Sequence, residues 1–257
     1  MKPLRGFLAF LLPLIACSSV PNNGSHGGLP SYGGLYTSPD GSIIELHRGS
    51  EGALRGYMQS KDRIAALAPV EMRDGAFAAK ATYDDGSTSE LRMTLMAGPE
   101  IVLDGRTFRR SAVERPADAT VRREIEAAYE KLAAAVEAKD YQAFQALRVA
   151  EFATIPPDGV PSPGSRMAER ARGMLERIQP PITTKNEVLE LMIRGNDAIA
   201  TVHQNFTRMQ LIEGTPHTIH TEVTQRETWS RTPDGWRLRF VDEVRNPITL
   251  VDGRPRK

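Results

Sequence analysis

The hydrophobic and polar positions of the chain follow different periods in its two halves. Between residues 32 and 112, short alternating runs such as Ile43-Ile44-Glu45-Leu46-His47 are separated by Asp-Gly pairs at 40–41, 74–75, 85–86 and 104–105. Alternation is typical of strands, and Asp-Gly favours the left-handed φ angles of tight hairpin turns. Residues 32–112 are therefore predicted to form a small all-β meander or barrel, with His47 on the surface of its strand.

The period becomes that of a helix after residue 118. Thr120 is placed to cap a first helix, whose inward residues follow at spacings of three and four. Asp140 is placed to cap a second helix, and residues 168–178 form a third, which ends before Pro180-Pro181. From Glu187 onward a period of two predicts strands near 186–194, 197–212, 216–231 and 236–248. Three helices followed by an antiparallel meander give an α+β fold.

This order of elements, together with three motifs, resembles the nuclear transport factor 2-like superfamily, which includes polyketide cyclases and ketosteroid isomerases. The motifs are the helix join at Lys139-Asp140, the Gly-Asn-Asp-Ala-Ile-Ala run at 195–200 and residues 227–238, from Glu227 to Leu238. The resemblance covers residues 118–257 and implies a cone in which a curved sheet wraps over the first helix. The superfamily contains enzymes and non-enzymes, so the fold does not decide the function.

The comparison with ketosteroid isomerases fails at two of three positions. The tyrosine that such enzymes carry on the first helix falls on Leu132, and their catalytic base falls near Pro157. Only their second acid is matched in kind, by Glu227. We therefore do not expect that isomerase activity.

A turn at Glu213-Gly214 determines which strand positions share a face. A two-residue turn there pairs Ile212 with Thr215, so even positions on the first strand face the same way as odd positions on the next. The face with the larger apolar side chains is expected to cover the helices. This inner face holds Ala198, Ala200, Val202, Gln204, Phe206, Arg208, Thr221, Val223, Gln225, Glu227 and Trp229. The opposite, outer face is predicted to be solvated or to pair two copies of the chain.

The next strand returns through a turn at 232–235, and the same alternation predicts Trp236, Leu238, Phe240, Asp242 and Val244 on the inner face. An apolar concave face with a few polar groups is the expected form of a small-molecule site. The candidate ligand-binding residues are Tyr129, Gln204, Phe206, Arg208, Gln225, Glu227, Trp229 and Asp242.

Three functions fit these two faces. In the first hypothesis, the cone binds a small, partly apolar ligand or a partner without catalysis. In the second, Glu227 and Asp242 are the catalytic acid and base of an isomerase, lyase or hydrolase, because burial can keep one carboxyl protonated while the other ionises. Pairing of either acid with an arginine is the open alternative to this catalytic role. In the third, the outer face forms a homodimer.

The N-terminus has the pattern of an export signal. Lys2 and Arg5 precede ten apolar residues at 7–16, which is shorter than the roughly 20 residues that span a bilayer. Leu14-Ile15-Ala16-Cys17 resembles the lipobox of bacterial lipoproteins, which implies cleavage before Cys17 and membrane attachment through three acyl chains on it. Ser18 follows Cys17 where an Asp would indicate inner-membrane retention, so the expected location is the outer membrane, facing the periplasm, in a cell with two membranes.

The predicted organisation is therefore a signal peptide at 1–16, a lipidated Cys17 with a flexible tether at 17–31, an all-β domain at 32–112 and the cone at 118–257. Composition then excludes several classes of function. The 257 residues carry 33 Lys and Arg against 32 Asp and Glu, and removal of residues 1–16 takes away two positive charges, which leaves 31 against 32. Such a balance gives no electrostatic basis for nucleic-acid binding. The single cysteine excludes an intrachain disulfide. His203 and His220 are predicted to lie roughly 13 Å apart along the ladder, so neither a metal nor a cofactor is expected.

Overall fold

The computed structural model describes residues 32–49, 53–96, 100–112 and 115–255. The predicted signal peptide, Cys17 and the tether lie outside the described residues. None of the described helices has the length and hydrophobicity needed to cross a bilayer.

Residues 34–112 form a closed barrel of eight antiparallel strands. The predicted all-β fold is confirmed, and the barrel closes because β1 pairs with both β2 and β8. Asp74-Gly75 and Asp104-Gly105 have positive φ at both positions, as hairpin turns of this kind require. The strands are β1 Gly34–Thr37, β2 Ile43–Arg48, β3 Leu54–Gln59, β4 Ile64–Arg73, β5 Ala76–Tyr83, β6 Thr88–Leu95, β7 Glu100–Leu103 and β8 Arg106–Ala112.

Side chains fill the interior of the barrel. Ile44, Leu46, Phe77 and Phe108 belong to one buried apolar cluster inside it. Because successive residues of a strand point to opposite faces, Glu45 lies on the outside of the barrel, between two core residues of β2. It is nevertheless fully buried, since the rest of the chain covers this side of the barrel.

Residues 115–255 form a unit of three helices and one mixed sheet, the helix–sheet unit. The helices are α1 Ala119–Glu137, α2 Tyr141–Ala146 and α3 Gly164–Arg177. The strands are β9 Arg115–Pro116, β10 Arg148–Thr154, β11 Ser162–Pro163, β12 Ile178–Arg194, β13 Asp197–Ile212, β14 Thr215–Thr232, β15 Gly235–Val251 and β16 Arg254–Pro255. They run in the order β11-β10-β15-β14-β13-β12-β9, with β16 beside β15. The predicted three helices and long meander are confirmed, and β10, which was not predicted, lies parallel to β15.

The helix caps match the predictions in one of two cases. Asp140 caps α2 by accepting a hydrogen bond from the backbone N–H of Ala143, as predicted. The prediction of Thr120 as the cap of α1 is wrong. Asp118 has that role, because its carboxylate accepts from the N–H groups of Thr120 and Val121.

The predicted register between the two central strands is confirmed. Ile212 lies opposite Thr215, and the pairing continues without a break to Asp197 opposite Ser230. The Glu213-Gly214 turn has positive φ at both residues. The inner face packs on the helices: Ala198, Ala200, Val202 and Trp229 share one buried cluster with α1, α2 and α3 residues.

The prediction for the inner face of β15 is wrong at Phe240 and Asp242, whereas Val244 packs against the inner cluster as predicted. Trp229 pairs with Leu238 but Thr228 pairs with Phe240, so Arg239 is an extra residue in β15. Such a bulge reverses the alternation that follows it. Phe240 and Asp242 therefore lie on the outer face, and Val241 takes the inner position opposite Glu227.

Candidate functional site

The inner face carries one fully buried carboxylate, that of Glu227. Tyr129 Oη donates to Glu227 Oε2 at 2.7 Å, and Trp229 Nε1 donates to the same oxygen at 3.2 Å. Gln225 Nε2 donates to Oε1 at 2.6 Å. The rings of Tyr129 and Trp229 meet edge to face, with 5.0 Å between their centroids. Four of the eight sequence-predicted ligand-binding residues therefore meet at this cluster.

Local sequence accounts for this meeting. Gln225, Glu227 and Trp229 alternate along β14, so all three point inward. Tyr129 lies on the buried stripe of α1 with Ile125 and Leu132, at helical spacing.

Burial raises the pKa of Glu227 above its ordinary value, because a carboxylate loses its hydration there. The donors Tyr129, Gln225 and Trp229, together with the charge of Arg148, act in the opposite direction. The pKa of Tyr129 is raised well above its usual value, since burial and the neighbouring Glu227 both disfavour its phenolate. Tyr129 is therefore a neutral donor to Glu227.

Arg148 is the residue of this site that sequence reasoning missed. It begins β10, and its guanidinium lies over the rings of Phe144 and Phe152, at 4.1 and 4.2 Å from their centroids. Its Nε and Nη1 atoms are buried and have no hydrogen-bond partner. Burial lowers the pKa of Arg148 to about 10, while Glu227 and Tyr141 act to raise it. The sequence feature that could have indicated this position is the pair of phenylalanines, Phe144 and Phe152, four residues before and after Arg148.

The inner face is less buried around the middle of β13 and β14. Val202 is fully buried, whereas Gln204, Phe206 and Gln225 are half-exposed. Gln204 donates to the side chain of Asn186 at 2.8 Å. Beyond them Arg208 is 5% exposed and donates to Thr221 Oγ1 at 3.0 Å, while its Nε has no partner.

A surface cavity of about 530 Å³ lies where the α1–α2 join meets α3. It is lined by Lys139, Tyr141, Gln142, Arg172, Leu175 and Glu176. Leu175 belongs to the buried cluster of the helix–sheet unit, and Tyr141 packs against that cluster. The cavity therefore borders the packed interior that contains Arg148.

Asp242, the remaining predicted acid, does not join Glu227. It lies opposite Arg226 on the outer face, and Arg226 Nη1 donates to its two oxygens at 3.3 and 3.4 Å. The proposed acid–base pair of Glu227 and Asp242 is thus split across the sheet. The β15 bulge at Arg239 is the physical reason, because it turns Asp242 towards the barrel.

The barrel covers this part of the outer face, so the prediction of a solvated or dimer-forming surface is wrong there. Glu45 of the barrel accepts from Arg194 Nη2 at 2.7 Å and from Arg226 Nη2 at 2.6 Å. Tyr57 stacks on Phe240 with 3.8 Å between the ring centroids, and it accepts from Arg239 Nη1 at 3.0 Å. These contacts define the junction between the barrel and the helix–sheet unit.

His47 also lies at this junction, which corrects its prediction as a surface residue. It is 8% exposed, and its ring nitrogens lie 3.7 Å from Glu45, 3.6 Å from Asp242 and 3.0 Å from Glu243. Burial opposes the ionisation of Glu45, but Arg194 and Arg226 outweigh it and hold the pKa of Glu45 well below its ordinary value. Burial raises the pKa of Asp242 against the charges of Arg226 and His47.

Similarity to known proteins is found among solved structures. No protein-family model and no curated protein matches the chain. Solved structures that match it include a nuclear transport factor 2-like superfamily protein from Salmonella enterica, at 23% identity and a TM-score of 0.40, covering 55% of this chain and 95% of that one. A putative dehydratase of the same family from Streptomyces avermitilis has 16% identity, a TM-score of 0.39 and coverage of 48% and 94%. The S. rosetta CaMKII hub has 16% identity and a TM-score of 0.37, and the match covers 53% of this chain and 99% of that one.

These likenesses cover about half of this chain and nearly all of each solved chain. A protein described as a putative dehydratase and a hub both occur among them, so they do not decide between catalysis, binding and assembly for this chain.

Proposed function

We propose that the protein is an envelope lipoprotein whose helix–sheet unit binds a small, partly apolar ligand without catalysis. The observation that carries this proposal is the inner face of the sheet. It is closed and apolar around Trp229 and half-buried around Gln204 and Phe206, and polar groups between these two stretches converge on Glu227. Such a face, apolar with a few placed polar groups, suits a small-molecule site.

The arrangement of the acids supports binding rather than acid–base chemistry. Both oxygens of Glu227 already accept hydrogen bonds from neighbouring side chains. A second acid within reach of the same substrate atom is needed for a carboxylate pair, and Asp242 faces the barrel instead.

Mass spectrometry of small molecules that copurify with the full-length chain tests this function. We expect a partly apolar molecule to be retained. Gln204→Trp, in the half-buried stretch of the inner face, should release it by filling the space. Asn205→Trp is the matched control, because the neighbouring residue points to the outer face and should leave retention unchanged. Equal retention by both variants, or no retained molecule in the parent protein, would contradict the proposal.

The anchor is proposed from the lipobox-like residues 14–17. Three acyl chains would attach the protein stably, since two lipid signals already suffice for stable anchoring. The expected location is the outer membrane, facing the periplasm. A palmitate analogue should label the parent protein and fail to label Cys17→Ser. Labelling of the Cys17→Ser variant by the analogue would contradict the anchor proposal.

Assembly is the second candidate function, and two exposed apolar side chains outside the junction favour it. Leu211 and Ile248 lie on the outer face of the sheet and are 49% and 44% exposed. Apolar groups that stay exposed on an uncovered sheet face are candidates for a pairing surface. Light scattering of the full-length protein should show a dimer that Leu211→Glu converts to monomer. A monomeric parent protein would exclude this candidate.

A further inference from the structure

The inside of the helix–sheet unit holds more positive charge than negative. Within the described part of the chain, Arg148 and Arg208 have guanidinium nitrogens buried there, and Glu227 is a buried acid. Among the residues that the structure describes, no carboxylate lies within ion-pair distance of either guanidinium, whereas Glu45 at the junction contacts two arginines directly. Glu227 itself accepts only from Tyr129, Gln225 and Trp229.

Buried guanidinium nitrogens without an acceptor are costly, because water no longer satisfies them. Nε and Nη1 of Arg148 are both in this state, and so is Nε of Arg208. Burial is the one influence on the pKa of Arg208, which it lowers to about 10. A guanidinium presents its N–H donors in a flat fork that matches a carboxylate or phosphate.

We infer that the ligand of this site carries a single oxyanion, of which a carboxylate is the simplest form, and that Arg148 binds it. This inference rests on the proposed binding function and names the class of ligand. One negative charge there would supply the acceptor that Nε and Nη1 of Arg148 lack. The rings of Phe144 and Phe152 beside Arg148 would then contact the apolar part of the same molecule.

The surface cavity supplies a route with matching charge. Lys139 and Arg172 line it together with one acid, Glu176, so its lining is net positive. The guanidinium of Arg172 lies over the ring of Tyr141, at 4.7 Å from the centroid. Tyr141 in turn is close enough to Arg148 to affect its pKa. Tyr141 therefore belongs both to the cavity lining and to the electrostatic surroundings of Arg148.

Matched pairs of probes test the inference on the full-length protein. Octanoate and 4-phenylbutyrate are compared with octanamide and 4-phenylbutyramide, and inorganic phosphate is tested alone. Binding is followed by the fluorescence of Trp229 and Trp236, the two tryptophans of the chain. We expect each carboxylate to bind about ten- to hundred-fold more tightly than its amide, the range of charge-assisted hydrogen bonds. Tighter binding of phosphate than of both carboxylates would assign the oxyanion to phosphate and overturn the carboxylate assignment.

Substitutions then locate the effect. Arg148→Met should remove the preference for carboxylates and leave amide binding unchanged, and Arg148→Lys should retain part of the preference. Arg123→Met, at an exposed position of α1, is the control and should bind like the parent protein. Thermal unfolding shows which variants fold, and a preference intact in a folded Arg148→Met overturns the inference.

The outcomes separate this inference from the binding function. Amides that bind as tightly as carboxylates would overturn the oxyanion and leave the binding function standing. Absence of binding by every probe, together with no copurifying molecule, would contradict both.

Discussion

Two buried glutamates lie on opposite sides of the same sheet and contact different kinds of side chain. Glu45 enters the outer side from the barrel and contacts the guanidinium groups of Arg194 and Arg226. Glu227 lies on the inner side and is held by three neutral donors, while the guanidinium of Arg148 nearby has buried nitrogens without partners. The outer acid is matched by charges of the protein itself, and the inner one is not.

This difference distinguishes a structural site from a binding site. At the junction, the buried Arg194 and Arg226 pair with carboxylates of the chain itself, as expected for groups that hold two parts of a protein together. Inside the helix–sheet unit, donors and positive charge remain unsatisfied beside a half-exposed apolar face. Perturbed ionisable groups occur in both places, so geometry and partner type are needed to tell the two apart.

The largest expected effect is on the junction. Glu45→Ala removes the carboxylate that contacts both buried Arg194 and Arg226, although Arg226 keeps its contact with Asp242, so we predict a loss of about 3–5 kcal/mol in the free energy of unfolding. Urea unfolding followed by circular dichroism measures it. Glu71→Ala is the control, because its ion pair with Arg73 is exposed and should contribute no measurable stability. An equal loss of unfolding free energy in both variants would contradict a stabilising role of the Glu45 ion pairs at the junction.

A smaller effect is expected on the inner face. Tyr129→Phe removes the 2.7 Å hydrogen bond to Glu227 and leaves that oxygen with Trp229 alone. We predict a cost of about 1–3 kcal/mol, the range for an unsatisfied buried polar group. Tyr83→Phe, which loses a partly buried hydrogen bond to Ser89 in the barrel, should cost less. Equal costs would contradict the importance of the Glu227 cluster.

The pH dependence of stability should differ in sign between the two glutamates. The raised pKa of Glu227 means that the folded state binds its proton first, so stability rises as the pH falls from that pKa towards about 4.3, the ordinary value. The lowered pKa of Glu45 means that its contribution is present above about 4.3 and is lost as the pH falls through the folded pKa.

Two variants separate these slopes. Relative to the parent protein, Glu227→Gln should lose the slope above about pH 4.3, and Glu45→Gln should lose the slope below it. Urea unfolding at several pH values between 2.5 and 7 measures both. If both variants changed the slope in the same pH range, the two sites would not differ as described.

Much of the inner face could be predicted from the sequence because a local turn sets its register. The Glu213-Gly214 turn requires positive φ at both residues, and a two-residue turn leaves one way to pair the strands that it joins. Gln225, Glu227 and Trp229 follow from that register, and Tyr129 follows from the helical stripe of α1.

The junction could not be predicted because it depends on distant contacts and on a bulge. Glu45 and Arg194 are 149 positions apart, and in the sequence Glu45 has the alternation of an exposed strand residue. In the sequence, Phe240 continues the apolar alternation of Trp236 and Leu238. In the structure, the extra residue Arg239 shifts the register by one position, so Phe240 turns to the outer face and packs on Tyr57. A sheet covered on both faces carries apolar residues on both, so alternation alone misassigns it.

The most direct test uses the same conservative change at two buried arginines. Arg148→Lys and Arg226→Lys each keep a positive charge and lose the guanidinium fork. For both variants, the amount of copurifying small molecule per folded protein is measured by mass spectrometry, and the free energy of unfolding is measured in urea. We predict that Arg148→Lys loses most of the molecule and keeps its stability, whereas Arg226→Lys loses stability and keeps the molecule. Loss of the molecule in Arg226→Lys, or full retention in Arg148→Lys, would contradict the assignment of binding to the inner face and of structure to the junction.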